Sequence, residues 1–464
     1  MLADARMGSL TDMEGLADRA ESLPLTVRES AIDVFFSALR SPPTSSESTA
    51  SPSKESKVRA LISILCIANA HAGKVIQQHA NSSSHRRSTT NLRAMVMRDW
   101  PSVRQWLRYF ARDIDGACDI LDTGDTSFEQ RKQTVIVAIC ALLRSLGEDE
   151  VLEDMIYCDA QLLLIVQYLW LQQGLDADDT PMDYVKWQPS IVARVYAELL
   201  LRVDKQEKDE LMEKVALDDT FRSALAESAL NRVRIASKRL KSVYSLVDLN
   251  TAASVAQGVA TSNEQLAEAS WNYDGIVVII KALRTYLEFV QAHPEETMLG
   301  LANESRMLDT LTNLGTFLAS IFITQRSDMQ LRNALKHGLL GVLGGLTLVV
   351  SKGRRSHNGP LADTYETLLM QYDSYLRGTT QYTMFRSVVL KIAVNVEEMD
   401  RSGQLDQLVA LDRGIGKRWS ILKQLTLERT ICKVIASRAS KNRMIPCRGV
   451  SSTNPHSFRA SSKG

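Results

Sequence analysis

The feature that most constrains this chain is a long succession of segments in which apolar side chains recur every three to four residues. This spacing places the apolar side chains along one side of an α-helix. The segments extend from about Asn91 to Glu428, and short breaks that contain Gly, Asp, Asn or Pro separate them. No alternation of apolar and polar residues is long enough to require a β-sheet. We therefore predict an all-α protein.

The composition agrees with this prediction. The chain has 464 residues but only 23 Gly and 11 Pro, and its many Leu, Ala, Arg and Glu residues lose little rotamer freedom in a helix. We predict helices over Ser102–Leu121, Phe128–Leu146, Ala160–Gln173, Pro189–Val203, Asp219–Leu246, Asn272–Ala292, Glu304–Thr324, Met329–Val350, Thr364–Leu376, Met384–Met399 and Leu405–Ala436.

So many helices can assemble in two ways. One is an α-solenoid of the armadillo or HEAT type, in which each helix pair buries its apolar side on its neighbours. The other is a compact helical bundle. We favour the solenoid because a chain of 464 residues is large for one bundle core. No clear repeat period is evident in the sequence, so we expect an irregular array.

The chain divides into four predicted regions. Residues 1–40 are an N-terminal helical arm, in which Thr26-Val-Arg-Glu29 has the form of a capping box at a helix start. The Ser- and Pro-rich residues 41–56 have little to bury and are expected to form a disordered linker. Residues 57–428 are the helical solenoid, and residues 429–464 are a basic tail for which we expect disorder.

The motifs of common catalytic sites are missing from the sequence, since neither Gly-x-Ser-x-Gly nor His-Glu-x-x-His occurs. Close helix packing explains Gly341-Val-Leu-Gly344-Gly345, and a break between helices explains Gly414-Ile-Gly416-Lys417. The seven histidines are scattered, and no third metal ligand is implied near His71 and His79. We predict no enzyme activity and no cofactor. An enzyme site assembled from distant helices stays open as an alternative.

Several features favour an intracellular protein of the cytoplasm or nucleus that does not enter the membrane. The N-terminus has no apolar core before Asp12, so we expect no secretion signal. Four cysteines lie in apolar helical patterns, which predicts buried thiols in a reducing compartment; they are Cys66, Cys118, Cys140 and Cys158. The longest uncharged stretches are shorter than the roughly 20 residues that cross a bilayer; they are Ala160–Leu175, Thr310–Gln325 and His337–Ser351.

The charge is nearly balanced overall but unevenly placed. A formal net charge of +1 gives no global attraction to nucleic acid. One predicted helix is locally basic, and its residues are Arg232, Arg234, Lys238, Arg239 and Lys241. A solvated helix surface is the default interpretation, and a contact surface for an acidic partner is the alternative. Nucleic acid is a less favoured partner because Tyr244 is the only nearby aromatic residue for base stacking.

The basic tail carries two cysteines at an informative separation. Zinc fingers of the MYND type begin with the ligand pattern C-x2-C-x8-C-x2-C or close to it, and the corresponding positions here are Cys432, Ile435, Met444 and Cys447. The leucine-rich helical region before them ends in Arg418-Trp-Ser-Ile-Leu-Lys-Gln-Leu425. Together these residues resemble fungal MYND-finger proteins, and the resemblance implies a finger that contacts partner peptides.

The finger implied by this resemblance lacks half of its first ligand set. Structural zinc needs four N or S ligands, and the side chains of Ile435 and Met444 cannot replace thiolates. We therefore expect no metal at the vestigial positions, Cys432 and Cys447. The tail is either a decayed finger or the product of an altered reading frame or splice choice, and both interpretations remain open.

A scaffold for protein–protein interactions is the function that these features favour. An α-solenoid has an extended surface that suits peptides or partner domains, so other proteins are the expected partners. A nucleic-acid-associated regulatory protein that uses the basic helix and tail is the alternative from another class.

The zinc prediction can be measured directly on the purified full chain. Elemental analysis is expected to find no stoichiometric zinc, because two thiolates do not complete a tetrahedral site. A content of about one zinc per chain would contradict this expectation, since structural sites hold the metal tightly at neutral pH.

Overall fold

The computed structural model describes residues 4–5, 9–19, 24–40, 52–69, 86–121, 126–174, 190–272, 274–293, 301–319, 327–356, 360–381, 386–411 and 414–424. All regular secondary structure within these ranges is helical, which confirms the predicted all-α class. The helices are α1 Leu10–Asp18, α2 Leu25–Ala38, α3 Lys54–Asn69, α4 Arg86–Arg112, α5 Ile114–Ile120, α6 Phe128–Leu146, α7 Glu150–Tyr157, α8 Ala160–Gln172, α9 Ile191–Arg202, α10 Lys205–Leu217, α11 Asp219–Lys238, α12 Val243–Ser262, α13 Glu264–Asn272, α14 Gly275–Ala292, α15 Leu301–Ala319, α16 Ser327–Lys336, α17 Leu339–Ser356, α18 Pro360–Gln381, α19 Arg386–Arg401, α20 Gln404–Val409 and α21 at 414–424.

Polar side chains set many of the helix starts. The first amides of a helix have no partner within the helix, and Asp or Ser just before the first turn can accept their hydrogen bonds. Ser127 and Gln130 form a capping box at α6, in which each side chain bonds the backbone amide of the other residue. Single side-chain caps at α5, α7, α8, α9, α10 and α11 come from Asp113, Asp149, Asp159, Ser190, Asp204 and Asp218.

The helices pack into two ladders. In the first ladder, each of α3, α6, α9, α12, α15 and α18 packs on the next. The second ladder is formed in the same way by α4, α8, α11, α14, α17 and α20. Between α8 and α20, the helices outside both ladders are α10, α13, α16 and α19, and each contacts the second-ladder helices on both sides of it in the chain. The described chain is therefore a solenoid-like stack in which, from α8 onwards, the same order of three helices recurs.

The stack is irregular, as the sequence predicts. The first-ladder helices begin at residues 54, 128, 191, 243, 301 and 360, so successive starts lie 74, 63, 52, 58 and 59 residues apart. Unequal spacing of this kind leaves no fixed sequence period, although the packing order repeats from one helix to the next.

The first two helices belong to the same packed core as the helices that follow them. Both α1 and α2 pack on α3, and α2 also contacts α4. The side chains of Met13, Phe35 and Phe36 are fully buried in the hydrophobic cluster that continues to Leu422. The capping box predicted at Thr26 is also wrong, because α2 already begins at Leu25.

Four predicted helices are each divided into two in the structure. At Asp113 the side chain accepts a hydrogen bond from the amide of Gly116 and starts a new helix. Ser242 and Ser245 form a capping box that starts α12. Gly338 has a φ of +85°, which favours glycine, and it separates α16 from α17. The divided segments are Ser102–Leu121, Asp219–Leu246, Met329–Val350 and Leu405–Ala436, the last as far as it is described.

Gly344 and Gly345 of α17 allow close helix packing, as the sequence predicts, whereas a Cβ atom added at Gly341 would have no neighbour within 4 Å. A Cβ atom added at Gly345 would lie 2.8 Å from Leu287 Cδ1 of α14, and one at Gly344 would lie 2.8 Å from Leu408 Cδ1 of α20. Gln404 Nε2 donates a hydrogen bond to the backbone oxygen of Gly341 at 2.9 Å. Glycine therefore brings three helices together here. Gly414 and Gly416 lie at the start of α21, after the break that follows α20.

No single helix in the described ranges is long and apolar enough to cross a membrane. Taken together, the apolar segments of α16 and α17 have the length and composition of a membrane span. The two helices are bent by 72° at the break between them.

Two capping aspartates also tie α4 to the helices that follow it. Asp149 is fully buried, caps α7 and accepts hydrogen bonds from Arg93 Nε at 3.1 Å and Nη2 at 2.7 Å. Asp159 caps α8 and accepts a hydrogen bond from Arg104 Nη1 at 2.7 Å. Each carboxylate thus fixes both the start of one helix and its position against another.

Loss of the Asp149 carboxylate should destabilise the fold more than loss of an ordinary cap. Asp149→Ala leaves the charge of Arg93 without its buried partner, which typically costs about 3–5 kcal/mol. Asp218→Ala is the matched control, because the exposed Asp218 caps α11 only, and its loss should cost about 1 kcal/mol. Urea denaturation followed by circular dichroism measures both, and equal losses would argue against the role given to the Arg93 pair.

Buried tyrosines should make the fold sensitive to alkaline pH. Burial disfavours the phenolate and raises the pKa of Tyr157 to about 12, and it also raises the pKa values of Tyr196, Tyr286, Tyr372 and Tyr375. Their contribution to stability is complete below the ordinary tyrosine value of 10.0 and is lost as the pH rises through the folded-state values.

We therefore expect helix loss and phenolate absorbance to rise together above about pH 10 in an alkaline titration. Complete tyrosine ionisation while the circular dichroism of the helices remains unchanged is the result that would exclude this coupling.

Candidate functional site

The packing leaves one side of the first-ladder helices uncovered by the described residues. Half-exposed and exposed side chains recur there every three to four residues on α6, α9, α12 and α15, and we call this surface the ladder face. Its polar residues are Gln130, Thr134, Arg144, Arg194, Glu198, Thr251, Ser254, Gln257, Thr261, Arg306, Asp309, Asn313 and Thr316.

Side-chain hydrogen bonds join neighbouring helices along the ladder face. Asn313 Nδ2 of α15 donates to Asn250 Oδ1 of α12 at 3.0 Å. Gln371 Nε2 of α18 donates to Thr316 Oγ1 of α15 at 3.1 Å. An amide side chain has two donor hydrogens and an oxygen with two lone pairs. Gln371 Nε2 also donates to the Tyr375 hydroxyl, so the remaining hydrogen-bonding capacity of its pair with Thr316 lies on oxygen atoms. The ladder face can therefore bond a polar ligand across several helices.

Three arginines on this face come from three different helices. They are Arg144 near the end of α6, Arg194 in the first turn of α9 and Arg306 in α15. Within the described residues, none of the three side chains forms an ion pair or a hydrogen bond.

Two carboxylates beside the end of α9 are paired with Arg202. Arg202 Nη2 lies 2.7 Å from Glu153 Oε1, and Arg202 Nε donates to Glu198 Oε2 at 3.2 Å. The Arg202 guanidinium also lies over the ring of Tyr157, 5.7 Å from its centroid. Arg202 therefore pairs with both Glu153 and Glu198, and the exposed Asp309 on α15 lies three residues after Arg306.

The pKa of Arg194 depends on its burial and on the charged groups around it. Burial lowers the pKa of Arg194, and the positive charges of Arg144 and Arg306 lower it further. Tyr157 and Glu198 oppose the shift. Burial and two cations thus disfavour the charged form of Arg194, and the carboxylate of Glu198 favours it.

The basic residues singled out in the sequence lie on α11 or directly after it, in the second ladder, and they do not all face solvent. Arg232 is buried, and its guanidinium stacks 4.4 Å from the ring centroid of Trp170. Arg234 is exposed and donates a hydrogen bond to Asn231. Lys238 and Lys241 are exposed, and Arg239 is half-buried. Arg232 is therefore a core residue, and contacts of the other four with an acidic partner stay a prediction.

The vestigial ligand positions, Cys432 and Cys447, lie outside the described residues, and so do His71 and His79. In the part of the chain that the structure describes, no group of three or more His, Cys, Asp or Glu residues could hold a metal ion.

The thiols differ in one case from the sequence prediction. Cys66, Cys118 and Cys140 are buried as expected, but Cys158 is exposed. Its position explains the difference, because it follows the last residue of the short helix α7 as its C-cap.

Grooves between helices are open rather than enclosed. One groove of about 970 Å³ lies between α14, α17 and α20, and Leu348, Val349, Lys352 and Arg355 are among its lining residues. A smaller groove of about 240 Å³ opens at the ladder face, where Leu201, Ser254, Gln257 and Gly258 line it. We call this smaller cavity the ladder groove.

Comparisons with known proteins provide no functional assignment. No protein-family model matches the chain, and no curated protein matches it either. A crystal structure of an engineered protein aligns with 90% of this chain and 98% of its own, at 14% sequence identity and a TM-score of 0.24. A TM-score this low supports no inference about fold or function.

Proposed function

We propose that this protein is a non-enzymatic, armadillo-like scaffold for protein–protein interactions, which binds its partners on the ladder face. The observation that carries the proposal is the continuity of this surface across α6, α9, α12 and α15. Repeated helices give a solenoid an extended surface, and such surfaces suit peptides and partner domains.

The chemistry of the ladder face supports this proposal. Hydroxyl and amide groups of Thr251, Asn313 and Thr316 provide hydrogen-bonding groups, while the ladder groove provides a depression beside them. Leu201 at the rim of the groove is 75% exposed, which is unusual for a large aliphatic side chain. An apolar anchor surrounded by polar groups is a common composition for a protein interface.

Two further parts of the proposal rest on the sequence. The cytoplasm or nucleus is the proposed compartment, and the buried thiols of Cys66, Cys118 and Cys140 support it because a reducing environment keeps such groups as thiols. Residues 432–447 are proposed to be the remnant of a MYND-type finger, on the ligand spacing alone.

A bulky residue in the ladder groove should block partner binding. Ser254→Trp fills the groove on α12, whereas Ser223→Trp on α11 places the same bulk on the second ladder. Both variants and the unaltered full chain would be used for affinity capture from the source cell. We expect Ser254→Trp to lose at least one partner that the unaltered chain and Ser223→Trp retain, because interface cores tolerate added volume poorly.

Circular dichroism and the melting temperature of both variants control for folding. Identical partner recovery with all three folded proteins would contradict the ladder face as the binding surface.

A further inference from the structure

We propose that the groove between α14, α17 and α20 binds an amphipathic helix of a partner protein, and that acidic residues lie in the first turn of that helix. We call this cavity the α17 groove. It belongs to the second ladder, so the proposed contact is separate from the ladder face and is tested separately.

The α17 groove arises because the second ladder opens between α14 and α17. The two helices are in contact at Gly345, where an added Cβ atom would lie 2.8 Å from Leu287 Cδ1. From that contact the groove extends to the ends of α14 and α17, where Val290 and Arg355 line it. α11 and α14 pack on each other more extensively than α14 and α17 do. The wider spacing leaves a volume of about 970 Å³.

One side of α17 faces this groove along several helical turns. Its lining residues recur every three or four positions, and they include Gly345, Leu348, Val349, Lys352 and Arg355. Leu348 and Val349 are half-buried, as is Leu411 after α20, so apolar surface remains accessible in the groove. The ridges of one helix pack into the grooves of another at this spacing. A partner helix with apolar side chains at positions i, i+3, i+4 and i+7 therefore matches the α17 groove.

The open form of the groove favours a helix over a small molecule or an extended strand. A small ligand is normally buried over most of its surface in an enclosed pocket, whereas the α17 groove is open to solvent. The walls are helices whose backbone amides and carbonyls bond within each helix, so they offer no row of backbone groups to a strand. A partner helix satisfies its own backbone and needs only side-chain contacts.

Charge determines which end of the partner helix lies at which end of the groove. Lys352 and Arg355 are exposed near the C-terminal end of α17, and no acidic residue among the described ones lines the groove. Asp406 of α20 lies nearby but is held by Lys423 Nζ at 2.7 Å. Glu288 of α14 is exposed just before the part of that helix that lines the groove. Partner carboxylates therefore match the end of the groove at Lys352 and Arg355.

This placement also gives the direction of the partner helix. A helix favours acidic residues in its own first turn, because its N-terminus carries a partial positive charge. Carboxylates in the first turn that lie beside Lys352 and Arg355 place the partner antiparallel to α17.

Peptide binding to the full chain tests the proposed contact. The Glu peptide is labelled with fluorescein, has about 14 residues and is about 21 Å long as a helix. It carries two Glu residues in its first turn, Leu at i, i+3, i+4 and i+7, and Ala or Gln elsewhere. The Lys peptide has Lys in place of both Glu residues, and the scrambled peptide has the same composition as the Glu peptide without the leucine stripe. By fluorescence anisotropy, we expect the Glu peptide to bind at least about tenfold more tightly than either control.

Reversal of the groove charges should exchange the two peptides. In the double variant Lys352→Glu and Arg355→Glu, we expect the Glu peptide to lose its advantage and the Lys peptide to bind at least about tenfold more tightly than it binds the unaltered chain. A gain of binding requires a folded groove, so this result does not depend on a loss of function. The matched control is Arg234→Glu with Lys238→Glu, which makes the same change in charge at exposed positions of α11 and should leave both affinities unchanged.

A bulky residue separates the α17 groove from the ladder face. Gln407 is exposed and lines the α17 groove, so Gln407→Trp should weaken binding of the Glu peptide at least about tenfold. Ser254→Trp fills the ladder groove instead and should leave this affinity unchanged. If no peptide binds while Ser254→Trp still loses a captured partner, the α17 groove is excluded and the ladder face stands.

Other results would overturn the inference in distinguishable ways. Equal affinities of the Glu peptide and the scrambled peptide would exclude recognition of a helical stripe. The same exchange of peptides in the α11 control would indicate a general effect of net charge. Tighter binding of a synthetic peptide of residues 425–438 would assign the groove to this chain's own tail. A dimer of the unaltered chain that Gln407→Trp dissociates would assign it to a second copy.

Discussion

Burial of the apolar side of each helix against its neighbours is the interaction on which the rest of this structure depends. Isolated helices of this length are marginal in water, and their stability comes from packing. α12 illustrates the point, because it is covered by α9, α11, α13 and α15. Each helix therefore completes the core of the helices beside it, and the cluster of buried side chains continues from the N-terminal helices to Leu422 without a division into separate cores.

This packing order also determines where polar groups can lie. The carboxylates of Asp149 and Asp159 cap helix starts because they accept hydrogen bonds from nearby backbone amides. In the stack, the same two carboxylates also form ion pairs with arginines of α4. On the first ladder, the side left uncovered collects polar side chains from successive helices into one surface. Arg144, Arg194 and Arg306 reach this surface in this way, since each of them belongs to a different helix.

Much of the helical structure follows from local sequence patterns. The bounds predicted for Phe128–Leu146 agree with those of α6, because a capping box precedes a regular apolar pattern there. The prediction joined α11 to α12 because the turn between them contains no Gly or Pro and is formed by the side chains of Ser242 and Ser245. The acidic and polar helix α10 was missed altogether, since its apolar side is narrow and its fold depends on the contacts with α8, α11 and α12.

The sequence by itself determined the helical class, the irregular stacking and the role of the α17 glycines, because periodicity, capping and the lack of a side chain act over a few residues. Only the tertiary structure decided which charged residues share a surface. Arg232 looked like part of a basic helix surface, yet packing places it on Trp170 in the core. Arg144, Arg194 and Arg306 are far apart in the chain, and the stacking of the first-ladder helices places all three on the ladder face.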